Sequence, residues 1–291
     1  MSQVGWIFDY LTIGRLWNIS RGKGVTIAVV DTTELRPAGS PIENVAVVTH
    51  QSGAGLAGRE PYHGTQMCSL IAGDGEATGV QGVAPETTLL YSRFNKYDTD
   101  SFLASLVWAR EQGAKVISMS LQLLPECPRA QEEISGHPEV LYVTSSGNNV
   151  GDETSVPDAL YPACYKDVLV IGAHDKDGVP WESSYRNKNL MMLAPGVEVR
   201  KPVEGSKTFD TTPGTSDACA LASGLLTIVV AWFDALRPLT PAAERRKTLI
   251  EGIVASCRPV KPEDKEYDQN KTGSGIFDPL AAIGEIGGPH A

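Results

Sequence analysis

A three-layer αβα architecture, with a mostly parallel central sheet covered by helices on both faces, is the fold class this sequence predicts. Three observations carry it. The run Val25-Thr26-Ile27-Ala28-Val29-Val30 is β-branched and apolar on both faces, as a central strand of a parallel sheet must be. Further short apolar runs alternate with helical patterns, which implies parallel strands joined by crossover helices. The segment 216–233 is a long apolar run at helical spacing, as a buried helix would be.

Taken in order, the first strand ends at Asp31 and a second short strand covers Val45 to Val48. His63 to Ala72 is helical in pattern, with His63 near its start. Thr88 to Ser92 reads as a strand after the turn Gly82-Val83-Ala84-Pro85. Ser101 to Gln112 reads as a helix with Phe102, Leu103, Leu106 and Val107 on one side, closed by Gly113. Val116 to Leu121 is a strand, Arg129 to Ile134 a helix, and Val140 to Thr144 and Val168 to Ile171 are two more strands. Leu190 to Leu193 and Val197 to Arg200 are weaker strand signals. Pro241 to Ser256 is an amphipathic helix, followed by the polar stretch Val260 to Lys271. The chain closes with a Gly-rich strand or turn over Gly273 to Phe277 and a helix from Pro279. No linker, repeat or low-complexity tract divides it, so residues 1–291 are expected to form one domain with a core over about 14–283.

Composition bounds the function. With 42% hydrophobic and 21% charged residues the balance is that of a soluble globular protein. A net charge of -10 argues against nucleic acid as a partner, since no basic stripe would meet phosphates. Arg245-Arg246-Lys247 reads as a solvated helix face. The first residues lack the basic and apolar regions of a secretory signal. The apolar run Ala218 to Phe233 is interrupted by Ser223 and Gly224, so no membrane span is expected. Five cysteines, at 68, 127, 164, 219 and 257, form no CxxC pair, which argues against a zinc cluster. Cys68 and Cys219 read as buried thiols, and a Cys127–Cys164 bridge is allowed only in an oxidising setting.

The run from Gly214 to Gly224, GTSDACALASG, puts Ser216 at the mouth of the long helix. Alone, Ser216 is equally well explained as an ordinary helix cap. Asp31 after a strand reads equally as a turn former, His63 as a neighbour of a helix cap, and Asn148, in Ser145-Ser146-Gly147-Asn148-Asn149, as a turn residue. All four, however, lie where strands end or helices begin, and in a parallel sheet those positions share one edge. Together they suit acyl transfer. Ser216 would attack a carbonyl, His63 would carry the proton, and Asp31 would hold the imidazole. Asn148 and the Ser216 N–H would stabilise the oxyanion. The chain order Asp, His, Ser is one known solution to this arrangement.

At these residues the chain resembles a subtilisin-like serine peptidase of the subtilase family, over about Gly14 to Ile283. Leu16-Trp17 and the run from Gly22 to Thr32 resemble the Asp block; His63-Gly64-Thr65 and Ile71-Ala72-Gly73 resemble the His block. Gly79 to Pro85, Ile117 to Leu121, Ser146-Gly147-Asn148, Leu160-Tyr161-Pro162-Ala163, Ala194-Pro195-Gly196 and Gly214-Thr215-Ser216 are further landmarks. The resemblance implies a subtilisin-like fold and a serine endopeptidase with Asp31, His63, Ser216 and Asn148 at its centre. It also implies an extended polypeptide substrate pairing with Met119, Ser120 and Leu121 as an added strand. The pocket for the side chain before the cut bond would lie between the strand ending near Leu121 and the segment from Ser146 through Gly147 to Asn148. There Gln122 and Leu160 stand where relatives often carry glycine, so a shallow pocket is expected. Glu126, Asp152, Glu153 and Asp158 in nearby loops could attract a basic side chain.

Departures mark this chain. Thr33-Glu34-Leu35 alters the loop after Asp31, and Gln66 replaces a common second histidine. Asp217 stands where a methionine is usual, and Leu221 where a Pro-His pair begins. Asp217 either faces the cleft and acts on His63 or is a solvated helix cap. The family's calcium loop would fall at Gly73-Asp74-Gly75-Glu76-Ala77-Thr78, which is short and lacks an evident acidic partner, so no cofactor is expected and a structural calcium is allowed but not evident. Only 30 residues precede Asp31 and no inhibitory propeptide domain is expected. That leaves a mature secreted fragment, an intracellular member, or a catalytic domain with a regulatory domain or partner in a larger parent protein; the missing signal and scattered cysteines favour the intracellular settings. Three other functions compete: a peptide-processing or macrocyclising transpeptidase, a non-catalytic protein-binding module, and a nucleotide-binding protein. The last ranks lowest, because no GxGxxG or GxxxxGK[ST] follows the first strand.

Overall fold

The computed structural model describes residues 5–52, 62–75, 79–123, 126–149, 160–185, 188–206, 208–260 and 272–287. Its strands are β1 (Thr26–Asp31), β2 (Val47–Ser52), β3 (Thr88–Phe94), β4 (Val116–Met119), β5 (Leu141–Ser145), β6 (Val168–His174) and β7 (Met192–Pro195). They form one sheet in the order β2-β3-β1-β4-β5-β6-β7. Every pairing in it is parallel, with β1 in register from Thr26 opposite Thr88 to Asp31 opposite Arg93. All strands therefore end on the same edge.

The two faces are read directly from β1. Ile27 and Val29 pack into one apolar layer with α3 (His63–Ala72) and α6 (Thr215–Leu236). Ala28 and Val30 pack into the other with α4 (Thr99–Glu111) and α5 (Pro128–Gly136). The first layer also takes α1 (Gly5–Tyr10), α2 (Ile13–Trp17), α7 (Ala242–Ala255) and α8 (Pro279–Gly287). This is the three-layer α/β/α arrangement expected from a β-branched strand apolar on both sides. A short antiparallel pair, β8 (Lys201–Pro202) with β9 (Phe209–Asp210), stands apart from the main sheet.

α6 is the axis of its layer. It is 22 residues long with a mean hydropathy of 1.9, enough by length and composition for a bilayer, yet 72% of that apolar window is buried against the rest of the protein. It touches α3, α8 and β4 to β7, so its apolar faces are spent on the core.

Several boundaries differ from expectation for physical reasons. The second strand is Val47–Ser52 rather than 45–48, because Val45 closes a turn onto the Ile42 carbonyl (3.1 Å). α4 begins at Thr99, since Asp98 Oδ1 caps the amides of Asp100 (3.0 Å) and Ser101 (3.2 Å). Segment 197–200 is no strand; Glu198 has φ of 55°, and pairing starts only at Lys201. Residues 273–277 make single bridges from Ile276 to Leu193 and to Arg258. Arg245 and Arg246 are buried rather than solvated. Arg245 grips both oxygens of Asp234 at 2.7 and 3.0 Å, and Arg246 donates to the Asp167 carbonyl. The five cysteines are free thiols, with Cys68 and Cys219 buried as expected. The polar stretch 261–271 lies outside the described residues.

Gly224 shows how closely α6 is seated. A Cβ there would overlap Val83 Cγ2 and come within 3.5 Å of the Ile71 Cα on α3. In an exposed helix alanine is favoured over glycine. Here Gly224→Ala is expected to lower stability by about 1–3 kcal/mol through overpacking. Urea denaturation of G224A, V83A and the double variant checks this, and the double should lose less than the sum of the singles.

Candidate active site

The site begins with a charge held inside the protein. Asp31 ends β1 and is 2% exposed. Its Oδ1 accepts from the Thr33 amide (3.0 Å) and the Thr33 hydroxyl (2.9 Å). Its Oδ2 lies 2.7 Å from His63 Nδ1. Burial pushes the Asp31 carboxyl up, but the His63 ring and the Thr33 hydrogen bonds outweigh it and hold the group below its ordinary value.

His63 is the first residue of α3, and the same threonine positions it. Thr33 Oγ1, having donated to Asp31, accepts from the Gly64 amide at 2.8 Å. The Tyr91 hydroxyl donates to the Thr33 carbonyl at 2.7 Å. One loop thus joins the end of β1, the start of α3 and the middle of β3. Gly64 has to be a glycine, because a Cβ there would overlap the Tyr91 hydroxyl.

Ser216 is the second residue of α6, behind the extended cap Gly214. Its Oγ lies 3.4 Å from the Ser120 carbonyl, while Ser120 Oγ donates to the Ser216 carbonyl at 2.9 Å. Asn148 follows β5. Its Oδ1 accepts from the Thr215 amide (3.0 Å) and hydroxyl (2.7 Å). Since the amide N–H can only donate, the side-chain oxygen is fixed toward Thr215 and the NH2 faces away. Thr215 Oγ1 in turn accepts from the Gly147 amide at 3.2 Å.

His63, Asn148 and Ser216 line one cleft of about 260 Å³, together with Tyr62, Gln66, Lys201, Asp210, Thr212, Pro213, Gly214 and Asp217. Parallel strand ends and helix starts put them there. A helix N-terminus also brings unpaired N–H groups and a positive end to that cleft, suited to a developing anion.

The remaining expected site residues divide. Ser120, Leu121 and Gln122 follow β4 at the sheet edge. Met119 is inside the sheet, fully buried, with its carbonyl taken by the Thr144 hydroxyl at 2.9 Å. Ser146 is buried and its amide bonds the Ile171 carbonyl at 2.8 Å. Gly147 has φ of 104°, and a Cβ on it would overlap the Gln122 side-chain nitrogen and sit 2.9 Å from Leu160 Cδ1. Gln122 and Leu160 thus close on Gly147 from two sides. Glu126 is exposed, while Asp152, Glu153 and Asp158 lie outside the described residues, as do Glu76, Ala77 and Thr78 of the calcium-loop segment. Asp74, from the same segment, bridges Gln81 and lies 3.4 Å from Asn44 Nδ2.

Two charged residues of the cleft sit otherwise than a solvated cap would. Asp217 is 1% exposed, and its Oδ2 lies 2.9 Å from Lys201 Nζ. Burial pushes Asp217 up to about 6, against the pull of Lys201 and His63. Lys201 carries no sequence signal for this; it directly follows the weak strand signal Val197 to Arg200.

Comparison with known proteins follows the same residues. The model of the subtilase family matches residues 22–272. The intracellular serine protease of Paenibacillus polymyxa is 30% identical over 227 residues, 74% of this chain and 69% of that one. The major intracellular serine protease of Bacillus subtilis is 28% identical over 221 residues, 72% and 69% of the two chains. Among solved structures, the prenylagaramide maturation protease PagA superposes with a TM-score of 0.76 at 22% identity, covering 94% of this chain and 98% of its own. The PatG macrocyclase domain superposes at 0.79 with 19% identity, covering 94% and 95%. At such identities these two likenesses speak for a subtilisin-like fold.

The loop that seats Asp31 is open to direct test. Asp31 is held below its ordinary value of 3.8, so its stabilising contribution is complete above about pH 4 and is lost as pH falls through the lowered value. Thr33→Val removes the hydroxyl that serves both Asp31 and Gly64. The expected loss is about 1–3 kcal/mol at neutral pH. Because losing that hydroxyl lets the folded Asp31 value rise toward its ordinary 3.8, the variant should also lose less stability between pH 6 and pH 2 than the unaltered protein does, read from urea melts across that range.

Proposed function

The chain belongs to the subtilase family, and from that premise we propose that it is a serine endopeptidase whose nucleophile is Ser216. The observation that carries the reading is the 2.7 Å contact between His63 Nδ1 and Asp31 Oδ2 on a cleft that Ser216 also lines. In this reading Ser216 Oγ attacks the carbonyl carbon of an extended polypeptide as His63 Nε2 takes the hydroxyl proton. Asp31 keeps the Nδ1 proton on the ring and stabilises the imidazolium. The Ser216 N–H and the Asn148 NH2 donate to the oxyanion, for which the orientation of Asn148 suits it. His63 then gives its proton to the leaving amine. Water, deprotonated by His63, attacks the acyl-enzyme, and the carboxylic product leaves as the proton returns to Ser216.

The fold of one domain over 1–291 goes with this proposal. So does a cytoplasmic setting: two relatives carry the name intracellular serine protease, and the cysteines here are free thiols. Specificity before the cut bond follows from Gln122 and Leu160. With both pressed against Gly147, little room is left for a large side chain there.

A fluorophosphonate probe tests the class. It should add mass at Ser216, and Ser216→Ala should abolish both labelling and peptide cleavage; a folded wild-type protein that stays unlabelled at every pH would sink the proposal. Asn148→Ala should lower kcat by about 100- to 1000-fold with a smaller change in KM. Cleavage of a peptide library should favour small side chains before the cut, and Gln122→Gly should extend acceptance to aromatic ones.

A further inference from the structure

We propose that Asp217 is a second positioning carboxylate for His63, held in the cleft by Lys201, and that its charge stabilises the imidazolium formed when His63 takes the Ser216 proton. This deepens the peptidase reading and rests on it.

The geometry is specific. Asp217 directly follows Ser216 and lines the cleft that His63 lines, yet it is 1% exposed. A carboxylate that merely favoured the helix N-terminus would do so from the surface. Burial adds a desolvation penalty that only a partner offsets, and Lys201 is that partner. Its Nζ lies 2.8 Å from the Thr212 carbonyl, 2.9 Å from Asp217 Oδ2 and 3.6 Å from Asp210 Oδ2. The ammonium donates to the Thr212 carbonyl and to Asp217, with Asp210 at ion-pair distance, so its charge is engaged within the cluster.

The charges facing Asp217 come from three elements: His63 on α3, Lys201 on β8 and Asp210 on β9. Burial pushes Asp210 up, but the Thr212 hydrogen bonds and Lys201 outweigh it, and it stays ionised. One ammonium against two carboxylates leaves the cluster negative once Asp217 is ionised. Asp217, pushed up to about 6, is in that state at neutral pH. Its charge then acts on His63 in the same sense as Asp31, from the side of the nucleophile.

The test follows the His63 titration midpoint by NMR, with the five histidines assigned through His63→Gln. Asp217→Asn keeps an acceptor for Lys201 but removes the negative charge. The imidazolium loses a stabilising neighbour, so the midpoint should fall by about one unit, a tenfold change in the neutral fraction at a given pH. The acid limb of Ser216 labelling should move to lower pH by the same amount, and D217E should restore both. If D217N fails to fold, D217S, which removes the same charge and leaves Lys201 and Asp210 in place, decides with a fall in the same direction. A midpoint unchanged in the folded variants overturns the proposal and makes the pair structural. A shifted midpoint with Ser216 unlabelled instead overturns the peptidase reading while leaving the action of Asp217 on His63 in place.

Discussion

The hydroxyl of Thr33 is the constraint on which the candidate site depends. A carboxylate at the end of a central strand is buried by the fold itself, and burial alone would drive it toward its neutral form. Thr33 donates to Asp31 through both its amide and its hydroxyl, and that hydroxyl accepts from the first amide beyond His63. The same contacts that keep Asp31 charged therefore fix where α3 begins. Tyr91 closes the loop from β3, and Gly64 gives that tyrosine its space. A side chain at position 64 would overlap the Tyr91 hydroxyl, so either the ring or the start of α3 would have to move.

A second buried charge sits across the cleft under different terms. Asp31 is offset by two hydrogen bonds from Thr33 and one from the His63 ring, and is held below its ordinary value. Asp217 has one short ionic partner, and burial prevails, so it is raised. The two carboxylates thus make opposite contributions to stability. That of Asp31 is gained as pH rises through its lowered folded value toward 4. For Asp217, whose folded value lies above its unfolded one, stability declines as pH rises from about 4 to about 6. That penalty is what the proposed action of Asp217 on His63 would account for.

What the sequence made legible follows from which interactions are local. Val25 to Val30 is apolar on both faces whatever surrounds it, and the bounds of α3 and the bulk of α6 follow from periodicity within one segment. The convergence of Asp31, His63, Asn148 and Ser216 on one edge follows from parallel topology alone. What escaped is long-range. Lys201 meets Asp217 from 16 residues away, and Arg245 meets the Glu139 carbonyl from 106 away. A basic triplet on a helix looks solvated until its partners are known. The aromatic helices α1 and α2 escaped because each is under two turns long and is held by packing, Trp6 on Tyr10 and Phe8 on Trp17.

Position 147 shows how a site can keep its backbone and change its selectivity. Gly147 needs a positive φ so that its amide reaches Thr215 while its carbonyl accepts from Tyr185 at 2.8 Å. Those bonds orient the following Asn148, so this backbone cannot move without disturbing the proposed oxyanion donor. The space above Gly147 is under no such restriction. Gln122 fills it, its side-chain nitrogen lying where a Cβ on Gly147 would fall. Under the proposed peptidase reading, selectivity before the cut bond would vary through the side chain at 122, and the proposed electrostatics at His63 through 217. Asp217 directly follows Ser216 and lines the cleft with His63, whereas Gln122 lies against Gly147, one residue before Asn148.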